Sequence, residues 1–79
     1  MATLPITNCV RELRQEHDDM TQADLGDAVG VTRQTIAAIE QRRYSPSLEV
    51  AFRIARVFNQ PLEVVFQFES DEGSAGSHN

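Results

Sequence analysis

One stretch, residues 21–41, TQADLGDAVGVTRQTIAAIEQ, constrains the fold more than any other part of the chain. Its apolar positions are Leu25, Val29, Val31, Ile36 and Ile39. Leu25 and Val29 share one face of a first helix, and Ile36 and Ile39 share one face of a second. Val31 falls in the connection, where it can plug the gap between them. Gly30 stands where the first helix must stop and a positive φ is easiest to place. Gly26 removes a side chain where the second helix would cross the first, at roughly 1 kcal/mol of helix propensity relative to alanine. Thr21, with Asp24 three residues on, is a capping-box relative with Asp in place of Glu. Thr32 precedes Arg33 in the same way and can cap the second helix. The pattern predicts two short helices set at right angles by a tight turn.

The flanking sequence supplies further helices. Residues 1–7 are short and partly apolar; Leu4 and Ile6 alternate like a strand, which Pro5 confines to an edge. Thr7 or Asn8 can cap a first helix over about residues 8–17, with Val10, Leu13 and His17 as its stripe and Cys9 on the side of Leu13. His17 reads as a favourable C-terminal cation or a solvated side chain, not a ligand. Cys9 reads as a small packed side chain. Asp18-Asp19 breaks the helix, and Met20 is the apolar partner just before the Thr21 cap.

Beyond residue 41, Pro46 disfavours helix at Ser45 and forces a loop. Ser47 then caps a helix over residues 48–58, with Leu48, Ala51, Ala55 and Phe58 as its main stripe and Ile54 beside it. Pro61 suits the first turn of a last helix ending near Phe66. Leu62, Val65 and Phe66 would close the core. Residues 64–69 can end as helix or as a short alternating strand with Phe66 and Phe68 on one side. An exposed Phe68 would be an apolar patch in want of a partner. Residues 70–79, SDEGSAGSHN, hold no core former except Ala75 and are expected to be a disordered tail on a single domain over residues 1–69.

Seventy-nine residues allow only a limited core, so dimerisation is a reasonable expectation. The chain has no apolar run of membrane-spanning length and no signal-peptide pattern, so a cytoplasmic location is expected, with no membrane partner. The single cysteine excludes an intramolecular disulfide. The chain shows no acid/base or metal cluster, Gly-rich phosphate loop or nucleophile elbow; neither an enzyme nor a cofactor is expected, and no small-molecule ligand is evident. Lysine is absent, which a GC-rich genome or a high-salt cytoplasm would each explain. The net charge of −5 is unevenly placed. Residues 32–58 carry Arg33, Arg42, Arg43, Arg53 and Arg56 against Glu40 and Glu49, a net +3, whereas the remainder sums to −8. A basic face can meet phosphates despite an acidic total.

The motif TQADLGDAVGVTRQTIAAIE resembles the XRE (Cro/CI-type) helix-turn-helix family, and RRYSPSLEVAFRIARVFNQPLEVVF is similar to its short stand-alone members of the cytolysin repressor type. The likeness covers roughly residues 10–68. It implies an all-α, five-helix, lambda-repressor-like DNA-binding domain, homodimeric and without a ligand domain. In that subtype the chain ends form a small antiparallel sheet, which here would pair residues 4–6 with 67–69. Pro5 and an extra residue in Asp18-Asp19 depart from the pattern. Gly26 replaces the usual alanine; both are small, so the crossing is kept.

A recognition helix projects polar or forked donors from its first turn into the major groove. Arg33 and Gln34 occupy that turn: Arg can bind guanine, and Gln adenine, through paired hydrogen bonds. Ala37 and Ala38 can approach thymine methyls, and Thr35 a phosphate or base edge. Thr32 and Gln41, at the two ends, complete the helix's candidate contacts. Gln22 opens the preceding helix, where free N–H groups favour a phosphate; in the family the matching Gln bridges phosphate and recognition helix. Arg42, Arg43 and Tyr44 follow with donors suited to phosphates, although Tyr44 equally suits packing on the Pro46 loop. Arg53 and Arg56 read as solvated or interface residues. The resemblance pairs Glu40 with Arg14 in a structural ion pair. Leu62, Val65, Phe66 and Phe68, with the helix over residues 48–58, are the candidate dimer interface. The expected function is a sequence-specific transcriptional regulator, a homodimeric repressor reading a palindromic operator in double-stranded DNA. The alternative is a protein-interaction module, antitoxin-like or coactivator-like, using its acidic faces; the lack of apolar anchors in the tail weighs against an antitoxin.

Overall fold

Three of the five helices begin on a hydroxyl that caps their first turn. The computed structural model describes residues 4–69, so the expected tail over residues 70–79 and the first three residues lie outside it. The order is β1 (Ile6–Asn8), α1 (Val10–Glu16), α2 (Gln22–Val29), α3 (Arg33–Glu40), α4 (Leu48–Val57), α5 (Leu62–Val65) and β2 (Phe66–Phe68). At α2 the capping box is complete: Thr21 Oγ1 accepts from Asp24 N at 2.9 Å, and the Asp24 carboxylate accepts from Thr21 N at 3.2 Å. Thr32 Oγ1 accepts from Thr35 N to start α3, and Ser47 Oγ from Val50 N to start α4. The first turn of α1 starts differently. Its N-cap, Cys9, makes no side-chain cap bond; Asn8 Oδ1, one residue earlier, accepts from Val10 N at 3.1 Å.

Gly30 ends α2 at φ 85°, and the Gly26 carbonyl accepts from both Gly30 N and Val31 N. Gly26 is buried for a reason closer than a helix crossing. A Cβ there would stand 2.6 Å from the Val31 carbonyl oxygen and 3.2 Å from the Thr32 backbone. The turn itself, rather than α3, presses on this residue, and alanine is not an equal substitute. Asp18 and Asp19 both adopt left-handed φ, 63° and 51°, and Met20 N donates back to the Arg14 and His17 carbonyls. Two short polar residues tolerant of that region make this turn.

The core is one cluster in which Val10, Leu25, Ile36, Ile39, Ile54 and Val65 are almost wholly inaccessible, with Val29, Ala55 and Phe58 around them. On α4 the centre of the buried face is Ile54, not Leu48. Leu48 lies in the first turn and is 67% exposed, contrary to the expected stripe. His17 stays exposed at the end of α1, its ring edge-on to Phe58 at 5.6 Å.

The chain ends pair as a two-stranded antiparallel sheet, with Ile6 opposite Phe68, Thr7 opposite Gln67 and Asn8 opposite Phe66. The pairing therefore involves residues 6–8 and 66–68 instead of 4–6 and 67–69. Pro5 stays outside the strand, where its missing donor is not needed, although its carbonyl accepts from Glu69 N. Pro61 stands at the N-cap of α5, not inside it, and α5 stops at Val65 because Phe66 already has extended dihedrals. No helix among the described residues is long and apolar enough to cross a membrane.

Candidate nucleic-acid interface

The second helix of the pair, α3, has a buried back and an exposed front. Ile36 and Ile39 are sealed in the core, while Arg33 and Gln34 in the first turn are exposed. Thr32 is exposed at the cap, and its hydroxyl meets that of Thr35 at 3.1 Å. Ala37 and Ala38 are half-buried, so the middle of the helix presents a low surface beside the longer side chains of its first turn. Gln41, Arg43 and Tyr44 are exposed past its C-terminal end.

Beneath this front lies a polar cluster that ties three helices together. The Arg14 guanidinium on α1 donates from Nε to Glu40 Oε2 at 2.6 Å and from Nη2 to Oε1 at 3.1 Å. Its remaining nitrogen, Nη1, donates to the Met20 carbonyl at 2.8 Å. Gln22 Nε2, at the start of α2, donates to Glu40 Oε1 at 3.0 Å. The Arg14 and Glu40 side chains are only 12% and 6% exposed, so the acid on this otherwise basic element is paired and turned inward. A hollow of about 430 Å³ opens between the start of α2 and α3, lined by Gln22, Thr21, Ala23 and Arg33 among others. A second, of about 290 Å³, is lined by Arg11, Arg14, Gln22, Glu40 and Gln41.

Arg11 is absent from the contacts read in the sequence, yet it stands beside Gln22 and Gln41 at that second hollow. Its signal was its spacing: three residues before Arg14, it shares that residue's side of α1. Arg42 takes the opposite course. Its guanidinium donates to the Leu4 carbonyl from Nε and Nη2, and it forms an ion pair with Glu69. Arg42 is thus committed to the chain ends, whereas Arg43 is exposed. Its backbone, at φ 61°, turns the loop at that point.

The expected dimer residues separate into two groups. Val65 is wholly inaccessible within one chain, so it cannot form a surface and belongs to the core. Leu62 and Phe66 are half-buried and Phe68 is 69% exposed; with Ile6, Pro46 and Leu48 they line an apolar groove of about 430 Å³. Phe52 is also exposed, four residues from Leu48 on the same side of α4.

The sequence profile of the helix-turn-helix family matches residues 10–65, from the first residue of α1 to the last of α5. The chain belongs to the XRE-type helix-turn-helix family. Relatives in both archaea and bacteria share most of its length. A protein of Archaeoglobus fulgidus described as an uncharacterized HTH-type transcriptional regulator is 46% identical over 63 residues, covering 80% of this chain and 89% of the relative. A Methanocaldococcus jannaschii protein so described is 46% identical over 65 residues, covering 82% and 97%. YgzD of Bacillus subtilis, also so described, is 47% identical over 64 residues, covering 81% and 96%. The alignments thus cover about four-fifths of this chain and 89% to 97% of each relative.

Proposed function

We propose that this protein is a sequence-specific DNA-binding transcriptional regulator that acts as a homodimer on a palindromic operator and represses. The observation that carries this reading is the asymmetry of α3. Ile36 and Ile39 root it in the core while Arg33 and Gln34 extend from its first turn. Forked donors on a rigid helix suit base edges in the major groove, where each good bidentate contact discriminates by about 1–3 kcal/mol. Thr32, Thr35, Ala37, Ala38 and Gln41 complete the reading surface. Gln22, Arg43 and Tyr44 face the backbone, with Arg11 beside them; Arg42 is left out because its Nε and Nη2 are engaged by the Leu4 carbonyl and Glu69. The relatives described as HTH-type transcriptional regulators support the same reading.

One helix reads few base pairs, and a symmetric dimer doubles the site. The groove lined by Leu48, Leu62, Phe66 and Phe68 is the surface that a second copy would cover. Repression is the simplest sign, since occupancy alone blocks the bound DNA.

Selection from random duplexes, followed by binding across a salt series, tests the reading. A palindrome bound with a steep salt dependence is the expected result. No enriched sequence would overturn it in favour of a protein-interaction module.

A further inference from the structure

The terminal sheet is fastened to the C-terminal end of α3 and the turn after it by polar bonds from Asn8 in β1 and from Leu4 and Glu69, which flank the two strands. The last carbonyls of a helix have no partner within it and must find donors elsewhere. Backbone N–H groups of Gln41, Arg42 and Arg43 take up the Ala37, Ile39 and Ala38 carbonyls, and the start of the chain adds donors to Ile39 and to the turn after the helix. Asn8 Nδ2 donates to the Ile39 carbonyl at 3.0 Å, and Leu4 N donates to the Arg42 carbonyl at 3.0 Å. Arg42 returns the connection, with Nη2 donating to the Leu4 carbonyl at 2.8 Å and an ion pair to Glu69 just past β2. Asn8 is bound at both ends, since its Oδ1 accepts from Val10 N. The sheet therefore cannot tilt or slide against α3 without breaking several of these bonds together.

That same sheet carries Phe68 and Phe66, which line the apolar groove. We propose that Asn8 and Arg42 are positioning residues, which pass the geometry of the sheet face to the recognition helix and so fix the half-site spacing a dimer accepts. This rests on the dimeric reading above. Two α3 helices reach successive major grooves only at one separation and pitch, and a dimer holds these only if the path from interface to helix is stiff. The path here is short: sheet, Asn8 and Leu4, then the Ile39 and Arg42 carbonyls. Arg42 thus serves specificity without touching DNA.

The test is a set of palindromes carrying the selected half-site with base pairs inserted or removed at the centre. The wild-type chain should prefer one spacing by about tenfold or more, the scale of one wrong base pair. Asn8→Ala and Arg42→Ala, each shown folded by thermal melting and dimeric by sedimentation, should flatten that preference to about two- to threefold. Asn8→Ala should bind an isolated half-site as the wild type does. Arg42→Lys, which keeps the charge but not the fork, should recover only part of the preference. Variants as selective for spacing as the wild type would overturn the proposal, and so would an Arg42→Ala protein whose only change is a shallower salt slope, which would mark a phosphate contact. A monomeric wild type would instead overturn the dimeric reading, and this inference with it. If Asn8→Ala fails to fold, Arg42→Ala and Glu69→Gln carry the same test.

Discussion

Arg14 donates to both carboxylate oxygens of Glu40, at 2.6 and 3.1 Å, across 26 residues of sequence. The pair is nearly closed off from solvent, and Gln22 and the Met20 carbonyl take up further bonds around it. Removing Arg14 leaves the enclosed Glu40 charge with no counter-ion and only the Gln22 amide for support. Arg14→Ala should therefore lower stability by about 3–5 kcal/mol, the scale of a broken buried pair. Arg14→Lys should fall between, because an ammonium cannot reproduce the two-pronged contact. Urea titration reads both; an Arg14→Ala midpoint equal to the wild type's would show that the pair adds nothing.

Gly26 and Gly30 should fail differently when replaced by alanine. At Gly26 the added methyl meets the Val31 carbonyl at 2.6 Å, and a backbone oxygen can yield only if the turn moves. Gly26→Ala should cost about 1–3 kcal/mol net, against the helix propensity alanine would contribute. At Gly30 there is room but φ is 85°, so alanine there should cost about 1 kcal/mol through backbone strain. Asparagine at position 30 should cost less. Thermal melting of the three variants separates crowding from strain, and Gly26→Ala alone should also weaken DNA binding by displacing α3.

Where partners lie close in sequence, the fold was legible. Thr21 with Asp24, Thr32 with Thr35 and Ser47 with Val50 are local caps, and Gly30 marks its own turn. The Arg14–Glu40 contact came from family resemblance, since no local spacing joins residues so far apart. Strand pairing was placed only approximately because three-residue strands some 60 positions apart have weak patterns, and Pro5 marks an edge without fixing a register. Leu48 deceived because helical periodicity assigns a face but not whether anything covers the first turn. Arg42 is the clearest illegible case. Its composition speaks for phosphate, whereas its partners, Leu4 and Glu69, are known only once the ends of the chain are brought to it.

Cys9 ionises above its ordinary range, first because burial disfavours the thiolate and then because Glu12 is close by, against a lowering by a backbone hydrogen bond, with Glu16 adding the least. The thiol also lies 3.4 Å from the Val64 carbonyl, a contact that needs its proton. The folded chain holds that proton more tightly than the unfolded one. Its contribution to stability is full below the unfolded thiol pKa and declines as pH rises through the folded one. Urea midpoints should therefore fall with alkaline pH more steeply for the wild type than for Cys9→Ala. Alkylation at neutral pH should be slower than for a free thiol. Equal slopes would show that the environment of Cys9 does not matter to folding.

The apolar groove and the core beneath it predict opposite phenotypes for neighbours. Phe68 is mostly exposed, so Phe68→Asp should leave the monomer's thermal melt nearly unchanged. It should weaken association by about 2 kcal/mol or more if a second copy covers the groove. Val65 has no exposed surface, and Val65→Ala should lower stability by on the order of 2 kcal/mol through the cavity it leaves. Sedimentation and melting read the two effects separately. A Phe68→Asp protein that associates as before would place the interface elsewhere.

Arg33 and Arg43 are both exposed arginines near α3, yet they should act on different terms of DNA affinity. Arg33 lies in the first turn, where its fork can match the two acceptors of a guanine. Arg33→Ala should cost about 1–3 kcal/mol on the selected site and relax the preference at one base per half-site. Arg43 lies beyond the helix, and in the proposed reading it meets the phosphate backbone. Arg43→Ala should weaken all sequences alike and reduce the salt slope by about one for each phosphate no longer neutralised, while base preference stays intact. Binding of each variant to the selected site and its single-base changes, at several salt concentrations, distinguishes the two. If Arg33→Ala weakened every site equally, the first turn of α3 would be a phosphate contact, and base readout would have to come from elsewhere on the helix.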